Sequence, residues 1–429
     1  MKTVIMAGGK GTRITSVSNE IPKAMLKVSG KPILEHQIKC LESQGYCDII
    51  IVTGHLGDVI HSYFGDGKSF GVCIEYYDES KPLGTAGALV ALKNKLADDF
   101  LLINGDLIFD IDFKRFEAFH KNRNALATLF THPNNHPFDS EIIVADCDSK
   151  ITGWLGRGEK RVTFKNRVNA GIHILAPKIL SGYLQAVKLD LDKDILIPLL
   201  NSGRLYAYNS TEYVKDMGTP KRYKEVCDDF LSCKVSNRNI SKKQKAVFMD
   251  RDGTINEYIG FVTKAEQLKL ICNAAEAIEK VNNSEYLAIV ITNQPVIARG
   301  ECTVEELEKI HNKLEDLLGE HGAYLDAIYY CPHHPDKGFE GEINEYKIDC
   351  DCRKPKPGLI FQAANEYNID LKQSYMVGDD IKDLLAGNAA GCKTAYLLSG
   401  KPESEPIEAD IYENLLTFVD KNLETSGKI

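Results

Sequence analysis

Ala246-Val247-Phe248-Met249-Asp250-Arg251-Asp252-Gly253-Thr254 is an apolar strand running straight into two carboxylates one residue apart. Asp250 and Asp252 thus sit at i and i+2 just past a strand. A carboxylate can attack phosphorus if a metal ion shields the repulsion between anions. The second carboxylate can then protonate the departing alkoxide and later deprotonate a water. A neutral side chain at position 252 would leave the phosphorylated intermediate long-lived, so Asp252 argues for hydrolysis. Asp250 is therefore the expected nucleophile and Asp252 the general acid and base.

The parts such a site needs follow in order. Ile291-Thr292-Asn293 ends an apolar run with a hydroxyl suited to a transferred phosphoryl group. Arg353-Lys354 supplies cations, and Val377-Gly378-Asp379-Asp380 ends another strand with a carboxylate for Mg²⁺, supported by Asp383. Between them, Cys331-Pro332-His333 and Cys350-Asp351-Cys352 offer three thiolates and an imidazole. Two short ligand pairs joined by a loop fit a closed, structural Zn²⁺ site over 331–352, with His334 the competing imidazole. This ordered set resembles the haloacid dehalogenase-like phosphatases. With the Tyr-Tyr-Cys-Pro-His-His-Pro stretch at 329–335, residues 246–400 resemble the D-glycero-D-manno-heptose 1,7-bisphosphate 7-phosphatases, and histidinol-phosphate phosphatase is the competing relative. The resemblance implies Mg²⁺ on Asp250, Asp252 and Asp379, catalytic roles for Thr292 and Lys354, and substrate contacts from Asn293, Gln294, Arg353 and Lys354. Pro295-Val296 stands where that family more often has Ser-Gly.

A different phosphate chemistry opens the chain. Gly8, Gly9 and Gly11 let the backbone of Gly8-Gly9-Lys10-Gly11-Thr12-Arg13 approach a polyphosphate and present N–H groups to it, and Arg13 adds a fork of donors. Pro22-Lys23 offers a second cation. Asp106 closes the apolar run Phe100–Ile103, and Asp216 precedes the turn Met217-Gly218-Thr219-Pro220. Together with the loop, the two aspartates suit a Mg²⁺ that neutralises nucleotide phosphates. Residues 1–231 resemble the sugar-phosphate nucleotidyltransferases. That resemblance implies Gly8, Gly9, Gly11, Thr12, Arg13 and Lys23 on the nucleotide, Arg13 and Lys23 stabilising charge, and Asp106 and Asp216 on Mg²⁺. Pro82-Leu83-Gly84-Thr85-Ala86-Gly87 matches the base-contacting segment of the mannose- and heptose-1-phosphate guanylyltransferases, which implies Gly84 and Thr85 at the base and GTP as substrate. Asn169-Ala170-Gly171 matches the sugar-contacting strand. The Glu-Lys pair usual before that strand is missing, which leaves Lys165 or Arg167 as the sugar-phosphate cation.

Both halves alternate short strands with amphipathic helices, so we expect an α/β chain of two doubly wound, mostly parallel, Rossmann-like sheets. The expected domains are 1–232 and 245–429, joined by a polar linker at 233–244. Strands are expected at Lys2–Ala7, Asp48–Val52, Phe100–Ile103, Ala246–Met249, Leu287–Ile291, Ala327–Tyr330 and Tyr375–Val377. Helices are expected at Pro32–Ser43, Thr85–Leu96, Asn273–Val281, Val304–Leu318, Leu359–Tyr367 and Ile381–Ala390.

With 429 residues, 43% hydrophobic and 26% charged, the composition is that of a globular chain of two domains. A net charge of −9 gives no reason to expect nucleic acid. No apolar run approaches the roughly 20 residues of a membrane span, and the N-terminal stretch is too short for a signal peptide. The twelve cysteines are irregularly spaced, which suits the cytoplasm. A homo-oligomer stays open. Combined, the two resemblances imply a bifunctional enzyme of surface-polysaccharide precursor synthesis, acting on heptose phosphates and GTP. The alternatives are a mannose-1-phosphate guanylyltransferase fused to an unrelated phosphatase, and a regulatory sugar-nucleotide module fused to a phosphatase.

Overall fold

The computed structural model describes residues 1–9, 21–157, 163–400 and 409–423. It divides into two compact units. One comprises Met1–His132, Ile143–Leu155 and Asn169–Asn239; the other comprises Pro133–Ile142, Gly156–Val168 and Ile240–Ile429.

In the first unit, the strands Lys2–Met6, Asp48–Thr53, Cys73–Asp78 and Phe100–Asn104 are parallel neighbours. Val168–Leu175 runs antiparallel beside Phe100–Asn104 and leads to the remaining strands of the sheet. The middles of the central strands are apolar because both faces are covered. Ile5, Ile49, Ile51, Leu101 and Ile103 enter one core, while Val4, Ile50, Val52, Phe100 and Leu102 enter the other. This is the period-two alternation of a sheet buried on both sides. A separate ribbon pairs Leu107–Asp110 antiparallel with Tyr213–Asp216.

The second unit repeats the plan with six strands, all parallel, in the order Ala327–Cys331, Tyr286–Asn293, Lys245–Met249, Tyr375–Gly378, Lys393–Leu397, Asp410–Tyr412. Val247, Met249, Ala288 and Val290 face one core and Ala246, Phe248, Leu287 and Ile289 the other. Helix starts are marked by their caps. Thr303 Oγ1 accepts from Glu306 N at 3.1 Å while Glu306 returns a bond to Thr303 N at 2.8 Å. The doubly wound expectation holds in both units, and the expected strands and helices are found within one or two residues, with one exception. The helix expected over Thr85–Leu96 is confined to Gly87–Leu92 and a 3₁₀ turn over Lys93–Lys95.

The polar stretch read as a linker is packed. Lys234–Asn237 is a short helix, and Val235 is buried with Leu26, Val28, Met217 and Val226. Asn239 Nδ2 donates to Asp110 Oδ1 at 2.7 Å. Polar composition alone does not reveal that one valine and one amide have partners waiting. Among the described residues no helix is long and apolar enough to cross a membrane.

Candidate active sites

The first site forms at the carboxyl ends of the parallel strands. Gly8 and Gly9 follow Lys2–Met6, with Ala7 N–H bonded to Val52 O at 2.8 Å. Gly11, Thr12 and Arg13 lie outside the described residues. Asp106 sits in the turn between Phe100–Asn104 and Leu107–Asp110. Buried Gln37 clamps that turn, its Nε2 donating to Asn104 O at 3.0 Å and Leu107 O at 2.8 Å. Sequence reading missed Gln37; the available signal was an amide at a core position of the Ile33–Glu42 helix. Register places Asp216 opposite Leu107, and Met217 N–H bonds Asp106 O at 3.1 Å, so the two predicted metal carboxylates sit at one end of the ribbon. Lys23 Nζ donates to Asp106 Oδ2 at 3.3 Å. Asp216 is also gripped by Arg222 at 3.0 and 2.8 Å; Thr219 and Pro220 start the helix that carries this arginine.

Around these groups the glycines set close approaches. Gly171 has φ +76°, and a Cβ there would fall 2.4 Å from Asn104 Nδ2. Asn169 Oδ1 accepts from Gly171 N at 3.1 Å and faces His173 Nε2 at 3.0 Å, and Asn169 Nδ2 reaches Asp192 Oδ1 at 3.5 Å. Gly84 pairs with Leu189, and Thr85 Oγ1 accepts from Leu191 N at 2.7 Å, so this segment is fastened to 187–191. A second residue missed in the sequence is Glu79. Its Oε2 lies 3.1 Å from where a Gly8 Cβ would stand, and burial raises its pKa. Asn169 and Gly171 belong to the first unit, and Lys165 to the second. There desolvation of its ammonium, then the Arg167 charge, lower its pKa, although the residue as a whole keeps exposed surface. Arg167 is buried in the same unit, 3.5 Å from Glu315 and donating to Asp326 O at 3.1 Å. Both cations expected for the sugar phosphate thus belong to the second compact unit, and Arg167 is engaged there by Glu315 and Asp326.

The second site gathers Asp250, Thr292 and Asp379 at the ends of three adjacent parallel strands. Open α/β sheets bind ligands at such ends. Lys354 Nζ lies between Asp250 Oδ1 at 2.8 Å and Asp383 Oδ1 at 2.7 Å and donates to Ile291 O at 2.7 Å. Burial alone would depress the pKa of Lys354, but Asp250 and Asp383 raise it, so the ammonium stays charged. Burial pushes the Asp383 carboxyl up to about 8 against the pull of Lys354. Asp250, Asp379 and Asp383 each present an oxygen within 4.8 Å of the others, a hard-oxygen set that fits a divalent cation. Gly253, at φ +82°, makes room for it, since a Cβ there would fall 2.2 Å from Asp379 Oδ2.

The Asp252 side chain, expected in that metal set, lies outside the cluster of carboxylate oxygens, which Asp383 completes. Asp252 accepts from Arg251 Nη2 at 2.8 and 2.9 Å, Asn256 Nδ2 at 2.9 Å and Gln294 Nε2 at 3.0 Å. Asp383 is placed by a capping box, its Oδ2 accepting from Asp380 N at 3.1 Å at the start of Ile381–Ala390. Asn293 and Gln294, expected on substrate, have their amides committed within the protein. Asn293 exchanges bonds with the Lys354 backbone at 3.0 Å in both directions, and so fixes the catalytic cation's main chain.

Beyond the Ala327–Cys331 strand, Cys331, His333, Cys350 and Cys352 converge. Sulfur separations are 3.1–3.5 Å, and His333 Nδ1 lies 3.3 Å from Cys352 Sγ. His334 is turned away, its Nδ1 accepting from Asp336 N at 3.2 Å. Arg353 Nη1 donates to His333 O at 3.1 Å, which ties this cluster to Lys354.

Residues 2–232 match the nucleotidyl transferase family, and residues 351–424 match a HAD-hydrolase-like family. The D-glycero-beta-D-manno-heptose-1,7-bisphosphate 7-phosphatase of Pasteurella multocida is 44% identical over 163 residues, covering 38% of this chain and 86% of that protein. The Escherichia coli K12 protein of the same name is 38% identical over 192 residues, covering 44% of this chain and 98% of that protein. Among solved structures, HddC from Yersinia pseudotuberculosis aligns with a TM-score of 0.47 at 29% identity, over 53% of this chain and 99% of that one.

Proposed function

This chain belongs to the nucleotidyl transferase family and carries a phosphatase domain of the heptose-bisphosphate 7-phosphatase family, and from that premise we propose that it catalyses two consecutive steps of GDP-heptose synthesis. The observation that carries the proposal is their union in one polypeptide: a 7-phosphatase acting on a 1,7-bisphosphate leaves a sugar 1-phosphate, which is what a sugar-phosphate nucleotidyltransferase consumes. The catalytic division is residues 1–232 and 245–429.

In the phosphatase step an Asp250 oxygen attacks the 7-phosphorus, the P–O7 bond breaks, and Asp252 gives its proton to O7. Water then attacks the aspartyl phosphate, Asp252 takes the water's proton, and inorganic phosphate leaves with Asp250 regenerated. Mg²⁺ on Asp250, Asp379 and Asp383 would offset the charge of nucleophile and phosphate. Lys354, fixed between Asp250 and Asp383, orients the nucleophile and adds positive charge where the phosphoryl transfers. In the second step an oxygen of heptose 1-phosphate attacks the α-phosphorus of GTP and the α–β bridge breaks to release pyrophosphate. Here Arg13 and Lys23 hold phosphate charge, and Asp106 and Asp216 would hold a Mg²⁺ that offsets it. Gly84, Thr85, Asn169 and Gly171 shape the pocket for base and sugar. Glu79 supports guanine, since a carboxylate can accept from both N1–H and the N2 amino group.

The cluster of Cys331, His333, Cys350 and Cys352 is read as structural zinc. Tetrahedral bonds of about 2.3 Å put sulfurs roughly 3.8 Å apart, close to the spacing found, and four protein ligands leave no open position.

The 7-phosphatase leaves the anomeric carbon untouched, so both sites must accept one anomer. The relatives act on the β-bisphosphate; the guanylyltransferase reading calls for D-glycero-α-D-manno-heptose. Incubating the protein with Mg²⁺, GTP and either anomer of heptose 1,7-bisphosphate tests this. Phosphate, pyrophosphate and GDP-heptose are expected from the α-anomer. Phosphate release without any nucleotide sugar from either anomer would refute the coupled reading.

A further inference from the structure

Gln294 is 2% exposed and Thr292 1% exposed, and the mechanism above gives the glutamine no work. Its amide orientation follows from its neighbours. Arg251 Nη2, which can only donate, lies 3.2 Å from Oε1. The two hydrogens on Nε2 must then go to Asp252 Oδ2 at 3.0 Å and Thr292 Oγ1 at 2.9 Å. Flipping the amide would set NH₂ against a guanidinium and a carbonyl oxygen against a carboxylate, so the network admits one orientation.

We propose that Gln294 is a positioning residue, locked by Arg251, which directs the Thr292 hydroxyl and holds the Asp252 carboxylate for phosphoryl transfer. Because Thr292 Oγ1 accepts from Gln294, its own hydrogen is left to donate, and no protein acceptor for it occurs among the described residues. Phosphoryl oxygens are pure acceptors, so a hydroxyl with its hydrogen free is in the useful polarity. Arg251 is fully buried, and a buried guanidinium persists only when paired. Its ion-pair partner is Asp252, its Nη2 also reaches Gln294 Oε1, and its Nη1 has no hydrogen-bond partner among the described residues, so the side chain of this arginine is spent on Asp252 and Gln294. Asn256 completes the cage from the turn that follows, with Ile255 N–H and Asn256 N–H both bonded to Arg251 O at 2.9 and 3.1 Å. Arg251, Asp252, Gln294 and Thr292 therefore form one hydrogen-bonded row from the acid/base to the phosphoryl-holding hydroxyl.

The proposal rests on the phosphatase reading of this site but not on its sugar, and the test separates the two. On the full chain, with Mg²⁺ and p-nitrophenyl phosphate, Gln294→Leu and Thr292→Val are measured singly and together. Each single variant is expected to lower kcat about 10–100-fold with KM changed less than about 2-fold. The double variant is expected to be about as slow as the slower single one, because the two residues act through one contact. A Gln294→Leu that raises KM at constant kcat would make Gln294 a substrate contact. Multiplying effects in the double variant would make the residues independent; either result overturns the proposal. Gln294→Met, of matching length, is read the same way if the leucine variant does not fold. Turnover of heptose 1,7-bisphosphate by the unaltered protein tests the substrate separately.

Discussion

Lys354 and Lys23, both proposed to serve phosphate chemistry, each sit beside a carboxylate, yet their settings differ. Lys354 is buried between two carboxylates at 2.7–2.8 Å, whereas Lys23 keeps solvent contact and meets Asp106 at 3.3 Å. The difference follows from the reactions. A protein nucleophile must be held at one attack geometry before substrate arrives, so its site is wired in advance by buried charge and hydrogen bonds. Nucleotidyl transfer uses two substrates as nucleophile and electrophile, and its protein charges wait for a polyanion and its metal. Substitutions should therefore disable the second site more sharply than the first.

The largest effect tests independence. Asp250→Asn should lower phosphate release by about 10⁴-fold or more, since a neutral amide cannot attack phosphorus as a carboxylate does. Pyrophosphate release from GTP and heptose 1-phosphate should be unchanged. Residual phosphate release near the wild-type rate would remove Asp250 from its role. Lys354→Met is expected to cost about 10²–10³-fold in phosphatase kcat and also roughly 3–5 kcal/mol in stability, because Asp250 and Asp383 lose their cation. Asp106→Asn should slow nucleotidyl transfer by about 10²-fold with little change in melting temperature. If both lysine and aspartate variants melt alike, the contrast between a wired and a waiting site fails.

The cluster of Cys331, His333, Cys350 and Cys352, proposed to hold zinc, sharpens the same contrast. Removing metal with a chelator should lower the melting temperature of the second unit and abolish phosphatase activity, because Arg353 and Lys354 follow directly on Cys352. Nucleotidyl transfer, assayed after Mg²⁺ is restored, should survive. Loss of both activities together would show that the metal supports the whole chain.

What could be read in the sequence follows the same physics. Asp250, Thr292, Asp379 and Cys331 stand at strand ends, with Asp106 in the turn just after one, and a strand end is visible as an apolar run that stops. Roles set by partners far along the chain were not visible. Whether the amides of Asn293 and Gln294 face substrate or protein depends on Lys354, 61 residues away, and on Arg251, 43 residues away. Asp383 replaced Asp252 in the carboxylate cluster because a capping box turns one inward and an arginine turns the other aside. Arg167, two residues before Asn169, is engaged by Glu315 and by Asp326, the latter 159 residues away, partners that no local reading reveals.

The smallest effect concerns base choice at the waiting site. Glu79 Oε2 lies against Gly8, where a carboxylate can take both hydrogens of the guanine edge, and Glu79 Oε1 is only weakly engaged by Leu83 N at 3.4 Å. A hydrogen bond to a charged group contributes about 1.5–3 kcal/mol, so Glu79→Gln should lower kcat/KM for GTP by roughly 10–100-fold. UTP offers a single N–H on the corresponding edge and flanks it with carbonyls, which an amide suits better than a carboxylate. Its kcat/KM should stay level or rise, and the GTP-to-UTP ratio should fall. An unchanged ratio would take base recognition away from Glu79 and leave it to the Pro82–Gly87 segment, whose backbone is fastened to 187–191 and cannot adapt to a new base. A fall in both substrates alike would mean that Glu79 shapes the Gly8–Gly9 turn and reads nothing. The ratio, not either rate, decides whether this site selects its nucleotide by charge.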